Sequence, residues 1–131
     1  MQRRSFFLAA PLFTLALPMM PAQAAAPVAY TDAAFAAAQQ AGKPILLHVT
    51  APWCPTCTAQ KPILDKLTAD PALKDLVFLT VDFDTSKDLL RKLRVQAQST
   101  LIVYHGATER GRSAGDTNAT SITALVRKSL G

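Results

Sequence analysis

Two cysteines stand three residues apart in this chain, and they are its only cysteines. Cys54 and Cys57 enclose a Pro-Thr dipeptide and follow directly after Trp53. A closely spaced cysteine pair can form and break a disulfide by thiol–disulfide exchange, in which a thiolate attacks a disulfide sulfur. The pair therefore predicts redox chemistry, and Cys54 and Cys57 are the candidate catalytic residues.

The surroundings of the pair predict different roles for the two thiols. The pair follows an apolar run, residues 45–50, and opens a helix-like segment that extends to about residue 69. A helix N-terminus offers unpaired N–H groups and the positive end of the helix dipole, which stabilise a thiolate. Pro55 suits the first helical turn. We expect Cys54 to be the exposed, attacking thiol and Cys57 to be the more buried thiol that resolves the mixed disulfide.

The alternatives for the pair are a structural disulfide and a metal site. A disulfide that closes so short a loop removes little chain entropy and stabilises weakly. A structural zinc site takes four ligands, whereas the chain has two cysteines and two histidines in all. Two soft thiolates suit Cu(I), so a copper-binding or copper-delivery module using Cys54 and Cys57 stays open as the alternative. No sequence feature predicts an organic cofactor.

Residues 1–24 have the pattern of a cleaved export signal. Two arginines precede an apolar stretch at residues 6–17, and Ala-Gln-Ala at residues 22–24 fits a signal-peptidase site. The stretch is shorter than the ~20 apolar residues of a membrane span. We therefore predict a signal peptide at 1–24, exported by the Sec route in preference to the twin-arginine route, and one soluble periplasmic domain at 25–131. A redox-active pair suits an oxidising compartment.

The charge pattern argues against nucleic-acid binding. The formal net charge is +5, and without the two arginines of the signal the chain carries 12 basic and 9 acidic residues. These basic residues are scattered and are not interleaved with aromatic residues, which is typical of a solvated surface. We expect a monomer whose partners are protein disulfides and dithiols.

Apolar runs and helical patterns alternate along residues 25–131. Strands are predicted at residues 45–50, 76–83, 100–105 and 110–114, and helices at 33–41, 54–69, 86–93 and 120–129. Nearly continuous apolar strands indicate burial on both faces of a sheet. The order predicts an α/β fold with a central mixed sheet of four to five strands, flanked by helices on both faces. Pro62 is predicted to kink the second helix.

The cysteine segment and three later features resemble the thioredoxin family. The run Ala51–Cys57 resembles the active site of that family, and Pro62 corresponds to its kinking proline. Residues 99–106 are similar to the family's Pro-Thr-strand-Gly segment, and Gly115 to its later glycine turn. The resemblance covers nearly all of residues 25–131. It implies the thioredoxin fold and thiol–disulfide oxidoreductase activity.

The resemblance also implies which residues surround the cysteines. These are Trp53, Pro55 and Thr56 beside the pair, and Thr100 at the start of the facing strand.

Ser99 departs from the family pattern. The family has a cis-proline at this position, facing the cysteine pair. A cis bond before a residue other than proline costs about 2.5–4 kcal/mol. We therefore expect a trans Gln98–Ser99 bond, a reshaped loop and a hydroxyl within reach of a cysteine sulfur. One hypothesis is that Ser99 determines substrate choice or the reduction potential of the pair. The alternative is that it is a tolerated replacement with no special role.

His48 is the second departure. It stands six residues before Cys54, where the family has a buried acid beneath the second cysteine. A histidine in that place can relay protons for Cys57. The alternative is a core histidine that is bonded to a backbone carbonyl. We expect a neutral ring in either case, because a buried imidazolium is costly.

The redox direction is predicted from weaker signals. The Pro-Thr dipeptide resembles that of periplasmic thioredoxin-like reductants, and the chain has no inserted helical domain of the kind found in periplasmic oxidases. We favour a reductant of protein disulfides, which needs a membrane electron-transfer partner to recharge it. The alternative is a periplasmic disulfide oxidant.

Overall fold

The computed structural model describes residues 25–131, so the predicted signal peptide at 1–24 lies outside the described residues. In chain order the elements are β1 (Val28–Ala29), α1 (Asp32–Gln40), β2 (Pro44–Thr50), α2 (Pro55–Thr68), a 3-10 turn (Pro71–Leu73), β3 (Val77–Asp82), α3 (Lys87–Leu93), β4 (Thr100–His105), β5 (Thr108–Ala114), α4 (Ala119–Arg127) and a second 3-10 turn (Lys128–Leu130).

The five strands form one sheet in the order β1-β3-β2-β4-β5. β3 pairs in parallel with both β1 and β2, whereas β4 pairs antiparallel with both β2 and β5. The prediction of a mixed sheet of four to five strands is confirmed, with five strands and with β2 at the centre.

Helices cover both faces of this sheet, as predicted. Successive side chains of a strand point to opposite faces. Leu46 of β2 packs with Leu64 of α2 and Ile122 of α4, whereas Leu47 packs with Ala38 of α1. Burial on both faces explains why β2 is almost wholly apolar. None of the helices within residues 25–131 is long and apolar enough to cross a membrane.

The observed bounds follow the predicted ones closely, with two differences near the C-terminus. β5 begins at Thr108 instead of residue 110, because Thr108 already pairs with His105 across the turn at Gly106. That turn needs glycine, since its φ is +57° and an added Cβ would lie 3.3 Å from the Cα of Gly42. The last helix ends at Arg127 and tightens into a 3-10 turn.

The antiparallel pairing of β2 and β4 creates the place where a site can form. Val49, near the end of β2, is the partner of Thr100, the first residue of β4. The segment that leaves β2 and the residue that precedes β4 therefore lie side by side. These are the cysteine segment and Ser99.

Candidate active site

The cysteine pair lies at the N-terminus of α2. Cys54 is the residue that caps the helix, and its sulfur accepts a hydrogen bond of 3.1 Å from the backbone N–H of Cys57. Pro55 occupies the first helical turn, where its missing N–H has no cost. A disulfide joins the two cysteines, whose Cα atoms are 5.3 Å apart. The predicted position of the pair at a strand-to-helix junction is correct.

The predicted difference in burial between the two cysteines is wrong for the disulfide form. Cys54 is 1 % exposed and Cys57 is 4 % exposed, so Cys54 is not the more exposed residue. The reason is that the capping sulfur of Cys54 turns inward towards the helix, and the hydroxyl of Ser99 lies 3.3 Å from it. Trp53 and Pro55 on either side of Cys54 are exposed. The different roles of the thiols therefore rest on the helix terminus and not on exposure.

Ser99 occupies a strained backbone conformation beside the pair. Residues 25–131 contain no cis peptide bond, so the Gln98–Ser99 bond is trans as predicted. The φ of Ser99 is +60°, in the left-handed region that costs a residue with a Cβ about 1–2 kcal/mol. Two backbone hydrogen bonds hold it there: its N–H donates to the Val49 carbonyl at 2.8 Å, and its carbonyl accepts from the Gly115 N–H at 3.1 Å.

The hydroxyl of Ser99 contacts both sulfurs. Its oxygen lies 3.3 Å from the sulfur of Cys54 and 3.6 Å from that of Cys57. The predicted contact between Ser99 and a cysteine sulfur is therefore confirmed. A hydroxyl hydrogen can rotate towards either acceptor. Donation to a sulfur favours the thiolate over the thiol.

His48 is buried on the face of β2 that α2 covers, and it is 6 % exposed. Its Nε2 lies 3.0 Å from Oε1 of Gln60. The alternative of a backbone carbonyl partner is wrong, because β2 lies between two strands and its neighbouring carbonyls are used in the sheet. Burial lowers the pKa of the His48 ring, and the hydrogen bond to Gln60 only opposes this effect. The ring is therefore neutral at pH 7, as predicted.

Gln60 is the site residue that sequence reasoning missed. It is fully buried, and its Nε2 donates to two backbone carbonyls, those of Ser99 at 3.1 Å and Asp116 at 2.8 Å. The signal was present in the helical spacing. Cys57, Gln60 and Leu64 recur at the interval of a buried helix stripe, and a glutamine on such a stripe requires polar partners.

A cavity of about 230 Å³ reaches both His48 and one member of the cysteine pair, Cys57. Cys57 and His48 both line it, and Lys61 and Asp65 of α2 stand at its polar side, paired with each other at 2.9 Å. Within the described residues no hydrogen bond joins His48 to either sulfur. The cavity is large enough for several water molecules, and His48 gives it the polar lining that water needs. A proton can thus pass between Cys57 and His48 through solvent.

The remaining predicted residues frame the site without touching the sulfurs through a polar contact. Trp53 is 56 % exposed, and its indole N–H donates to Asp84 at 2.8 Å. Thr56 is half-buried in the first turn of α2. Thr100 donates its hydroxyl hydrogen to the carbonyl of Ala97 at 2.7 Å and so stabilises the loop that carries Ser99. Residues 25–131 contain no group of three or more His, Cys, Asp or Glu side chains that could hold a metal ion.

Replacement of Ser99 by alanine or glycine separates its hydroxyl from its backbone strain. Both variants remove the donor to the thiolate, so the reduction potential of the disulfide should become more negative by about 30 mV, the equivalent of ~1.4 kcal/mol. Only Ser99→Gly also relieves the left-handed strain, so it should be the more stable of the two in urea denaturation. Equilibration with a glutathione redox buffer measures the potential. A potential that is unchanged in both variants would contradict a role of the hydroxyl in redox poise.

Comparison with known proteins identifies the family. The family model named Thioredoxin matches residues 26–128. A thioredoxin of Coprinus comatus is 33% identical over 89 residues, which cover 68% of this chain and 83% of that protein. A thioredoxin of Mycobacterium bovis is 30% identical over 111 residues, which cover 84% of this chain and 92% of that protein.

A solved structure gives the same result. The crystal structure of Trxlp from Edwardsiella tarda has a TM-score of 0.74 and 42% identity to this chain, with coverage of 77% of this chain and 98% of that one. A sheet of this order, a cysteine pair that caps α2 and a sequence match over almost all of the described residues agree. The chain belongs to the thioredoxin family, whose members act on protein disulfides as thiol–disulfide oxidoreductases.

Proposed function

We propose that this protein is an exported reductant of protein disulfides. The observation that carries its thiol–disulfide chemistry is the position of the Cys54 sulfur, which meets the N–H of Cys57 at 3.1 Å and the hydroxyl of Ser99 at 3.3 Å at the start of a helix. These two donors and the helix dipole all favour a thiolate at Cys54 once the pair is reduced. Cys54 is therefore the nucleophile.

The reduced pair transfers two electrons in two displacement steps. The Cys54 thiolate attacks one sulfur of a substrate disulfide, and a mixed disulfide forms as the first substrate thiolate leaves and takes a proton from solvent. Cys57 then loses its proton and attacks the Cys54 sulfur, which breaks the mixed disulfide and releases the second substrate thiolate. The substrate disulfide is reduced to two thiols, and Cys54 and Cys57 are oxidised to the disulfide.

His48 accepts the proton that Cys57 must lose. Its ring is neutral, it lines the same cavity as Cys57, and this cavity opens a solvent route between the two groups. A neutral imidazole is a competent base near pH 7, whereas a solvated thiol ionises only near pH 8.5. The proton then passes from the imidazolium to solvent in the cavity, so that His48 is neutral again for the next cycle.

Export is supported by the limits of the family match. The match begins at residue 26, two residues after the predicted cleavage site, so the segment with signal-peptide features lies outside the conserved domain. Outside the cytoplasm a reductant is oxidised with every turnover, and no soluble thiol pool restores it. The proposal therefore includes a membrane electron-transfer partner that reduces the Cys54–Cys57 disulfide.

The proposed direction of electron flow is supported by the secondary-structure elements that the domain contains. The described residues hold only the five strands and the helices of the family's own fold, without the helical insertion expected of a periplasmic oxidase. The curated relatives named above are thioredoxins. A disulfide oxidant is the competing role for the same cysteine pair, and the resting redox state distinguishes the two.

Acid quenching of bacteria that express the full chain, followed by alkylation and mass spectrometry, tests export and direction together. The proposal predicts a chain that begins at Ala25, is recovered from the periplasmic fraction and carries two alkylated cysteines. A Cys54→Ser, Cys57→Ser variant, which has no thiol to alkylate, is the control for modification at other residues. A chain that retains residues 1–24 in the cytoplasmic fraction contradicts export. A periplasmic chain with an intact disulfide identifies an oxidant instead.

The pH profile of disulfide reduction tests His48. Because the pKa of the buried ring lies below its ordinary value of 6.5, His48 stays neutral above that pH and loses its function as a base only as the pH falls through its lowered pKa. The rate at which Cys57 resolves a preformed mixed disulfide at Cys54 should decline over that acidic range, and His48→Ala should remove this decline and slow the step about tenfold or more. His105→Ala is the matched control. His105 lies at the end of β4 that is remote from the cysteine pair, and its ring bonds the carbonyl of Ser129. An identical profile in His48→Ala refutes the base role.

A further inference from the structure

The side-chain amide of Gln60 has only one possible orientation. Its two neighbours on one side are backbone carbonyl oxygens, those of Ser99 and Asp116, at 3.1 and 2.8 Å. Carbonyl oxygens only accept hydrogen bonds, so the amide nitrogen with its two hydrogens must face them. The amide oxygen is thereby directed at the Nε2 of His48, 3.0 Å away.

This orientation determines the tautomer of His48. The oxygen of Gln60 can only accept, so the Nε2 of His48 must carry a hydrogen. This is true of the neutral ring and of the imidazolium, because in both forms the hydrogen bond to Gln60 requires a proton on Nε2. Nδ1 is then the only ring nitrogen that can gain or lose a proton without breaking a buried hydrogen bond. Within the described residues, Nδ1 has no hydrogen-bond partner.

We propose that Gln60 is a positioning residue of the thiol–disulfide reaction, which fixes His48 as the Nε2–H tautomer and so leaves Nδ1 as the basic nitrogen of a ring that lines the cavity shared with Cys57. The inference rests on the proposed function, in which His48 accepts the proton of Cys57. It adds that Gln60, one helical turn beyond Cys57, determines which ring nitrogen of His48 is basic. In the opposite tautomer Nδ1 would carry a hydrogen and could not accept a proton.

The same amide holds the other side of the cysteine pair. One of its two donors bonds the carbonyl of Ser99, whose hydroxyl contacts both sulfurs. Gln60 thus connects the residue beside the thiolate with the base that deprotonates the second thiol. Loss of the amide leaves two buried carbonyls and the Nε2–H of His48 without partners, and therefore lowers the free energy of unfolding.

The groups around His48 leave its ring as the titrating group in this pocket. α2 contributes Cys57 and the ion pair of Lys61 with Asp65, in which the two opposite charges offset each other. β3 contributes the uncharged side chains of Phe78 and Thr80, and the partner of His48 on β4 is Leu101. Among the described residues, Lys61 and Asp65 are the charged side chains that line this cavity, and they pair with each other. Cys57 is the other titratable group beside His48.

Nitrogen-15 NMR of the histidine rings reads the tautomer directly. In the wild-type protein at pH 8, Nε2 of His48 should show the shift and the proton coupling of a protonated nitrogen, and Nδ1 the shift of an unprotonated one. Gln60→Met, which has similar length and no hydrogen-bonding group, should release the ring from this tautomer. It should also slow oxidation by a small disulfide about tenfold, a part of the ~10²–10⁴-fold that acid–base catalysis supplies. The first attack by Cys54 is measured alone when Cys57 is replaced by alanine. In this Cys57→Ala background, Gln60→Met should leave the rate of the first attack unchanged.

Gln60→Glu tests the same claim without loss of the acceptor. Its carboxylate still accepts from Nε2, so the tautomer should persist, but its negative charge should raise the pKa of His48 and move the acid limb of the rate to higher pH. Gln40→Met, on the exposed end of α1, is the matched control and should change neither reading.

Three results would overturn the inference. They are a wild-type His48 protonated on Nδ1, a Gln60→Met variant with the wild-type tautomer and rate, and a Gln60→Glu variant with an unshifted acid limb. The tautomer is read without substrate, so it stands or falls independently of the proposed function. A periplasmic chain found as the disulfide would reject the reductant and leave the role of Gln60 intact.

Discussion

The hydrogen bond from the Cys57 N–H to the Cys54 sulfur is the contact on which the site depends. It makes Cys54 the cap of α2, so that a reactive sulfur takes the place that a serine or aspartate oxygen fills at most helix starts. Cys54 caps α2 at the end of the short loop that follows β2, which ends at Thr50, and the antiparallel strand β4 brings Ser99 alongside this loop. The pairing of β2 with β4 thus adds the Ser99 hydroxyl as a second donor to the sulfur that the helix N-terminus already bonds. The chemistry of the pair follows from that placement.

A buried polar network replaces two features that the family normally has at this site. Ser99 takes the place of a proline and His48 that of an acid, and Gln60 bonds both of them. Each buried polar group alone would cost free energy, because it would have left its hydrogen bonds to water behind. Together, His48, Gln60 and the backbone of Ser99 satisfy one another. The two departures from the family pattern are therefore connected through one residue, Gln60.

The sequence predicts the fold and the pair better than it predicts the surroundings of the pair. Apolar runs and a capping cysteine are local signals, so the sheet, the helices and the trans bond before Ser99 could be inferred from the chain alone. The burial of Cys54 could not, since it depends on a hydroxyl that approaches from the loop before β4, 45 residues away in the chain. Gln60 was missed for a related reason. Its spacing placed it on the buried face of α2, but its partners come from β2 and from the loops around β4 and β5, which only the fold brings together.

Cys54 is the thiolate at the start of α2, and the pH dependence of its alkylation tests this assignment. The fully reduced protein is treated with iodoacetamide in short pulses between pH 4 and pH 10, and peptide mass spectrometry reports the modification of each cysteine. We predict that Cys54 is modified first, with an apparent pKa below the ordinary value of about 8.5, while Cys57, which does not cap the helix, reacts more slowly. Modification of Cys57 as fast as Cys54, or a Cys54 that titrates at 8.5 or above, would contradict it.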